Sequence, residues 1–308
     1  MKVIENVLRK AGLLKKGENV FIIYDEEKEE IANLFFKSCE RLGAEVYSSK
    51  ILRRGESKRE PPKAVAEAMK FSDLILAITS VSLTHSKAIR EARNNARIAS
   101  MPGITKEMFP ALNIDYKKMR KECESFAKNF SAEEIRIKTR LGTDLTLRCG
   151  GRDVQVQDGI LDKVGSLHNW PAGEVGIAPL ENSANGKIVF DVCFTGIGKL
   201  KRPLSMEVKK GEVAKIYGYG AEKLKEILKK AGKNSRIVCE FSVGMNKKAR
   251  IMGNVLNDEK VHGTCHVAIG DNKSIGGLNE SKVHLDGVIK APTVSFDKEV
   301  LIEEGVLV

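Results

Sequence analysis

Val20-Phe21-Ile22-Ile23-Tyr24 is a continuous run of apolar, strand-forming residues. Such a run predicts a strand that is buried on both faces, as in parallel sheets. Asp25 follows as a candidate helix cap, residues 27–42 have the pattern of a helix, Gly43 ends it, and residues 44–48 return to a strand pattern. Strand, helix and strand in this order predict a β-α-β unit and therefore a parallel sheet.

The same alternation continues along the first part of the chain. Residues 62–71 and 86–95 predict helices, and residues 74–78 and 97–100 predict strands. We therefore expect a Rossmann-like α/β domain. Residues 24–27, directly after the first strand, contain no glycine, whereas a dinucleotide site needs glycines for the close approach of the pyrophosphate. No nucleotide cofactor is expected.

Beyond about residue 130 the pattern changes to short alternating segments separated by glycines, with one helical pattern at residues 219–231. Strand-like alternation runs through residues 135–147, 187–194, 236–243 and 283–288. The sequence therefore predicts an α/β protein with two domains, a Rossmann-like α/β domain over residues 1–130 and a β-rich α+β domain over residues 131–308.

Composition excludes several classes of protein. The 308 residues carry a formal net charge of +11, but basic and acidic residues are interleaved, as in residues 209–230, and aromatic residues make up only 6%. We expect no nucleic-acid partner, because no stacking platform is present. No apolar run reaches the roughly 20 residues that cross a bilayer. The six cysteines are spread singly, which argues against a disulfide framework. A cytoplasmic protein without a membrane partner is expected.

Possible metal ligands concentrate near the carboxy-terminal end of the sequence. His266 lies in the strand-like segment 261–270. His284 and Asp286 are two residues apart in segment 281–289. Because side chains alternate along a strand, His284 and Asp286 are expected on one face, which is a chelating arrangement.

Two glutamates lie in unusual surroundings. Glu240 interrupts the apolar segment 236–243, where a buried carboxylate needs a partner. Glu174 lies in residues 169–175, which predict a tight turn rich in proline and glycine, and loops often present functional side chains. Each residue alone has an ordinary structural explanation. Together with the two histidines and the aspartate, they match the nitrogen and oxygen ligands of catalytic zinc, cobalt, manganese or iron sites. The β-rich domain is therefore predicted to be the metal-binding, catalytic domain.

Four motifs that contain these residues follow one another between residues 165 and 290. They are Asn169-x-Pro171-x-Gly173-Glu174-Val175, Glu240-x-x-x-Gly244-x-Asn246, the end of segment 258–270 as Gly263-Thr264-x-His266-x-Ala268-x-Gly270, and Gly277-x-Asn279-x-Ser281-x-x-His284-x-Asp286. In these motifs the chain resembles the thermophilic metallo-aminopeptidases of the aminopeptidase T type, which are similar to leucyl aminopeptidases. Weaker similarity extends over most of the chain.

The resemblance implies that Glu174, Glu240, His266, His284 and Asp286 are the ligands of two divalent cations, zinc, cobalt or manganese. It implies a homodimeric aminopeptidase, a hydrolase and metalloprotease that removes amino-terminal residues from peptides with a metal-activated water. Either Glu174 or Glu240 would be the general base.

One position departs from the aminopeptidases, and two alternatives stay open. Family members place a tyrosine ligand shortly after the first histidine, where this chain has Lys273, and a lysine beside a dication is unfavourable unless it points away. With one metal, His266, His284 and Asp286 form the 2-His-1-carboxylate triad of non-haem Fe(II) enzymes. Dihydroxypyridine ring-cleaving dioxygenases are similar to the aminopeptidases in fold, so an Fe(II) dioxygenase is the first alternative. A non-enzymatic protein that binds an acidic partner is the second.

Overall fold

The computed structural model describes residues 1–53, 60–84 and 86–308. These residues fall into two compact units. The first consists of Met1–Arg120 and Gln157–Ala172, and the second of Lys121–Val156 and Gly173–Val308. Residues 157–172 therefore belong to the first unit, although they follow a segment of the second unit in the sequence. The domain boundary at residue 130 stays a prediction from sequence.

The helices and strands of the described residues alternate along the first unit and give way to a succession of strands in the second. The helices are α1 (Lys2–Lys10), α2 (Glu29–Arg41), α3 (Lys63–Met69), α4 (Lys87–Ala92), α5 (Phe109–Leu112), α6 (Tyr116–Ala127), α7 (Ala221–Ala231) and α8 (Val255–Asp258), with 3-10 helices at Glu26–Lys28, Lys106–Met108, Lys128–Ser131 and Lys273–Ile275. The strands are β1 (Asn19–Asp25), β2 (Glu45–Ile51), β3 (Leu74–Ile78), β4 (Arg97–Ser100), β5 (Glu134–Lys138), β6 (Asp144–Arg148), β7 (Val154–Gln157), β8 (Leu167–Asn169), β9 (Glu174–Ile177), β10 (Asn185–Phe190), β11 (Cys193–Phe194), β12 (Gly198–Lys199), β13 (Leu204–Lys209), β14 (Glu212–Gly218), β15 (Val238–Gly244), β16 (Cys265–Gly270), β17 (His284–Ile289), β18 (Thr293–Phe296), β19 (Glu299–Glu303) and β20 (Val306–Leu307). Among these residues, no helix is long and apolar enough to cross a bilayer.

The first unit is built on a parallel sheet. Its strands lie in the order β2, β1, β3, β4, β8, and each neighbouring pair is parallel. The apolar run 20–23 of β1 is buried, as is the whole of β3. The mixed α/β class predicted from these runs is confirmed. Strand β8 was not predicted, because Leu167-His168-Asn169 is too short and polar to show a strand pattern.

The second unit contains two sheets. One has the order β14, β13, β10, β6, β5, β18, β19, β20, and the other has the order β12, β11, β17, β16, β15, β9, β7. Phe296 of the first sheet and Phe241 of the second lie with their ring centroids 6.4 Å apart, and Phe130 packs against both at 4.9 Å and 6.1 Å. This aromatic core supports β15, which is one of the strands that carry the predicted metal ligands.

Gly287 of β17 packs directly against two phenylalanine rings, which leave no space for a side chain at this position. A Cβ atom built there lies 2.4 Å from two ring carbons of Phe190 and 2.6 Å from one of Phe194. We expect Gly287→Ala to lower the free energy of unfolding by about 1–3 kcal/mol, because overpacking a filled core costs that much. Urea denaturation followed by circular dichroism measures the change.

The matched control for this substitution is Gly150→Ala, since a Cβ atom at Gly150 has no neighbour within 4 Å in the structure as described. The control should unfold like the wild type. Equal stability of Gly287→Ala and the wild type would contradict the packing described for β17.

Candidate metal centre

Three adjacent strands, β15, β16 and β17, create the centre through their register. Ala268 on β16 pairs with Glu240 on β15 and with Asp286 on β17. Paired residues of neighbouring strands point to the same face of a sheet. The two carboxylates therefore approach each other across Ala268, whose small side chain leaves space between them.

The two histidines enter on the same face. His266 lies two residues before Ala268, and His284 pairs with Gly270, which lies two residues after it. His284 Nε2 is 3.0 Å from Glu240 Oε2 and 3.1 Å from Asp286 Oδ1, and His266 Nε2 is 3.4 Å from Glu240 Oε1. Ligand atoms of Glu240, His266 and Asp286 lie within 4.8 Å of one another. The structure thus brings together four of the five predicted ligands.

Hydrogen bonds from outside the cluster orient two of these groups. His284 Nδ1 donates to the carbonyl oxygen of Asp271 at 2.7 Å, so that Nε2 is the nitrogen that faces the carboxylates. Ser242 Oγ donates to Glu240 Oε1 at 2.7 Å. Ser242 has room for its hydroxyl because its partner on β9 is Gly176, where a Cβ atom would lie 1.7 Å from Ser242 Oγ.

The cluster is charged, and its charges balance one another. Burial raises the pKa of Glu240 and Asp286, but the two histidines outweigh burial, so the pKa of Glu240 lies well below its ordinary value and that of Asp286 is lowered. Burial lowers the pKa of the histidines, but the carboxylates raise the pKa of His266 to about 9 and that of His284 well above its usual range. In the metal-free protein at neutral pH, imidazolium ions therefore neutralise the carboxylates.

This donor set fits a divalent metal ion. A metal binds neutral imidazole and carboxylate groups, and it replaces the protons that otherwise neutralise them. His266 Nδ1 is buried and has no hydrogen-bond partner among the described residues, so no protein contact determines which nitrogen of His266 carries the proton, and Nε2, which faces Glu240, can bind the ion.

Glu174 belongs to a neighbouring group of charges. It lies at the start of β9 rather than in the predicted turn, and its ligand atoms, with those of Glu259 and His266, lie within 4.8 Å of one another. The Lys260 Nζ atom lies 2.5 Å from Glu174 Oε1 and 2.7 Å from Glu259 Oε1. Burial lowers the pKa of Lys260, but the two carboxylates outweigh it and raise that pKa above its ordinary value. Glu174 is therefore already paired with an ammonium ion.

Glu259 has an unusual protonation behaviour. Burial raises its pKa to about 8, against the opposing effect of Lys260, and the charge of Glu174 adds to the rise. One ammonium ion thus does not fully stabilise two buried carboxylates. Sequence reasoning missed the role of Glu259 and Lys260, because no pattern in segment 258–264 shows that a lysine is buried there.

Two further positions concern the surroundings of the centre. Lys273, which stands where the aminopeptidases have a tyrosine ligand, forms an ion pair with Glu280 at 2.6 Å and is half exposed. Alternation predicts opposite faces for Cys239 and Glu240, but Cys239 Sγ lies 3.7 Å from His284 Nδ1. The register shift between Val238 and Glu240 explains this contact, because a β-bulge redirects side chains.

Fold and centre together define a class of mixed α/β protein with a histidine–carboxylate cluster that can hold a divalent metal. Within this class, the family model of NicX, described as 2,5-dihydroxypyridine 5,6-dioxygenase, matches residues 1–308. The chain belongs to this family.

Individual relatives are distant. The 2,5-dihydroxypyridine 5,6-dioxygenase of Pseudomonas putida KT2440 is 22% identical over 260 residues, which cover 79% of this chain and 73% of that protein. The solved structure of the 2,5-dihydroxypyridine dioxygenase from the same organism matches with a TM-score of 0.81 at 19% identity, over 100% of this chain and 96% of that one. AmpT from Thermus thermophilus matches with a TM-score of 0.70 at 16% identity, over 100% of this chain and 98% of that one. The two structures establish a shared fold.

The resemblance to aminopeptidases of the aminopeptidase T type is therefore corrected. The predicted aminopeptidase, hydrolase and metalloprotease activity on peptides is wrong, since the family is one of dioxygenases, which are oxidoreductases. The error has a structural cause. The motifs that carried the resemblance lie on and around β9, β15, β16 and β17, and AmpT shares the overall fold. These motifs therefore indicate the shared arrangement of strands, and they do not determine which reaction a protein with this fold catalyses.

The first prediction from this geometry concerns Ser242. We expect Ser242→Ala to weaken the binding of a divalent metal by about 10–100-fold, because Ser242 orients Glu240, Glu240 contacts both histidines that bind the metal, and losing such an outer partner costs about that much. Isothermal titration with Co(II) measures the affinity. Ser205→Ala, which changes a buried serine on β13 of the other sheet, is the control and should bind like the wild type. Equal affinities for all three proteins would refute the assigned role of Ser242.

The second prediction concerns pH. The folded protein holds a proton on His266 up to about pH 9, whereas an unfolded chain releases it near pH 6.5. The stabilisation from this proton is complete below about pH 6.5 and is lost as pH rises through about 9, because the unfolded state then binds fewer protons. The free energy of unfolding of the metal-free protein should therefore fall across this range.

Urea titrations at a series of pH values test the fall. The raised pKa values of His284 and Glu259 act in the same direction, so the comparison that isolates His266 is a His266→Gln variant, whose stability should depend less steeply on pH. Identical slopes for variant and wild type would show that His266 is not held as an imidazolium ion.

Proposed function

We propose that this protein is a ring-cleaving dioxygenase that binds one Fe(II) ion through His266, His284 and Asp286 and acts on a dihydroxylated pyridine. The convergence of these side chains beside Ala268 carries the proposal, because two histidines and one carboxylate are the ligand set of non-haem Fe(II) oxygenases. Membership of the family supports the reaction class. The relative's name makes 2,5-dihydroxypyridine the first substrate to test.

The residues around the ligands have separate tasks in this proposal. An Fe(II) ion held by such a triad supplies open coordination positions for dioxygen and an aromatic hydroxyl group. Glu240 reaches both histidines and is oriented by Ser242. We assign it the role of general base, which accepts the proton of a ring hydroxyl group at a carboxylate oxygen. Glu174, the other predicted base and ligand, is held by Lys260 and in this proposal serves charge balance.

The test is reconstitution with Fe(II) under anaerobic conditions, followed by oxygen uptake and loss of ring absorbance with 2,5-dihydroxypyridine. We expect about one iron per chain and uptake of one dioxygen per ring cleaved, since a dioxygenase places both oxygen atoms in its product. The His284→Ala variant should lose both iron and activity. His262→Ala is the matched control, because His262 is half-buried and lies outside the cluster.

Two results would contradict the proposal. One is release of amino-terminal residues from peptide anilides by the zinc or cobalt protein without oxygen uptake. The other is failure to bind iron under these conditions while the protein is folded.

The remaining proposals concern the setting of the centre. We propose that the parallel sheet of the first unit is a Rossmann-like scaffold that binds no nucleotide, since residues 24–27 offer no glycine. The division into domains 1–130 and 131–308, the homodimer, the absence of a nucleic-acid partner and the cytoplasmic location stay predictions from sequence and resemblance.

A further inference from the structure

We propose that the ammonium group of Lys260 is a built-in cation that occupies a second divalent-metal position, between Glu174 and Glu259 and beside His266, and thereby limits the centre to one metal ion. The proposal rests on the proposed function for the first ion, held by His266, His284 and Asp286. It goes further by assigning a latent second site and the residue that closes it.

The position of Lys260 is the first observation. Its side chain has an exposure of 0%, and Nζ lies within 2.7 Å of an oxygen from each of two carboxylates, Glu174 and Glu259. A lysine is almost never fully buried unless it is paired. The ammonium therefore lies between the two carboxylates, where it takes the place that a metal ion bound by both would need.

Free ligand capacity in the same place is the second observation. Glu174 is 7% exposed, and its second oxygen, Oε2, has no hydrogen-bond partner among the described residues. This oxygen lies 3.9 Å from Nε2 of His266, the nitrogen that also faces Glu240. A buried carboxylate oxygen without a partner is unfavourable in a finished hydrogen-bond network. Here one ligand atom from each of Glu174, Glu259 and His266 lies within 4.8 Å of the other two.

The charges of Glu174, Glu259 and Lys260 explain why a cation is needed at this position. Glu174 and Glu259 carry two potential negative charges in a buried space, and Lys260 supplies one positive charge. Without the ammonium, the two carboxylates repel each other and must be neutralised by protons or by a cation. Since carboxylate oxygens are among the ligands that zinc binds in proteins, a divalent ion can neutralise Glu174 and Glu259 once the lysine side chain no longer lies between them.

The test is the number of Zn(II) ions bound per chain, measured by elemental mass spectrometry after gel filtration. The wild type should hold one, and Lys260→Ala should hold two. Lys260→Arg keeps the positive charge and should hold one. The double variant Glu259→Gln/Lys260→Ala lacks one of the ligands and should also hold one. Thermal unfolding is the second readout, since Zn(II) should raise the melting temperature of Lys260→Ala more than that of the double variant.

Each outcome decides the question. Two ions in the wild type, or equal numbers in Lys260→Ala and the wild type, overturn the proposal. A Lys260→Ala protein that folds only with Zn(II) supports it, and one that stays unfolded in Zn(II) counts against it. A wild type without any ion contradicts the proposed function, while the difference of one ion between variant and wild type still tests the role of Lys260.

Discussion

Four buried carboxylates of the second unit are neutralised by cationic side chains that reach them, and that constraint organises the metal centre. Glu240 and Asp286 meet the imidazole groups of His266 and His284, and Glu174 and Glu259 meet the ammonium of Lys260. Removing one partner from such an arrangement leaves an uncompensated buried charge, which costs about 3–5 kcal/mol. In the metal-free protein, protonated histidines neutralise Glu240 and Asp286, and Lys260 lies against Glu174 and Glu259. A divalent ion beside Ala268 replaces only the protons, and the lysine stays in place.

The strands around the cluster are adapted to this constraint by small residues. Ala268 separates Glu240 from Asp286, Gly270 lies opposite His284, and Gly176 leaves room for the hydroxyl group of Ser242. Larger side chains at these positions would fill the space in which the ligands meet. The register of β15, β16 and β17 therefore determines the chemistry, because a slip by one residue would turn every ligand to the opposite face. The aromatic core behind β15 holds this register from the other side.

The sequence predicted those parts of the protein that depend on local pattern. The apolar run 20–24 identified the parallel sheet, and the two-residue spacing of His284 and Asp286 placed both on one face. The pairing of Glu174 with Lys260 was not predictable, because burial of a lysine depends on contacts between distant segments. Nor could the ligand residues decide between hydrolase and dioxygenase. The same strands can present nitrogen and oxygen ligands to zinc or to iron, and the choice came from the family to which the whole chain belongs.

The most direct test of a one-metal centre is a crystal structure of the protein reconstituted with Fe(II), with anomalous diffraction recorded on both sides of the iron absorption edge. We expect one anomalous peak per chain, within bonding distance of His266, His284 and Asp286, with the Lys260 side chain still between Glu174 and Glu259. A peak between Glu174 and Glu259 in the wild type, alone or beside the first, would contradict it.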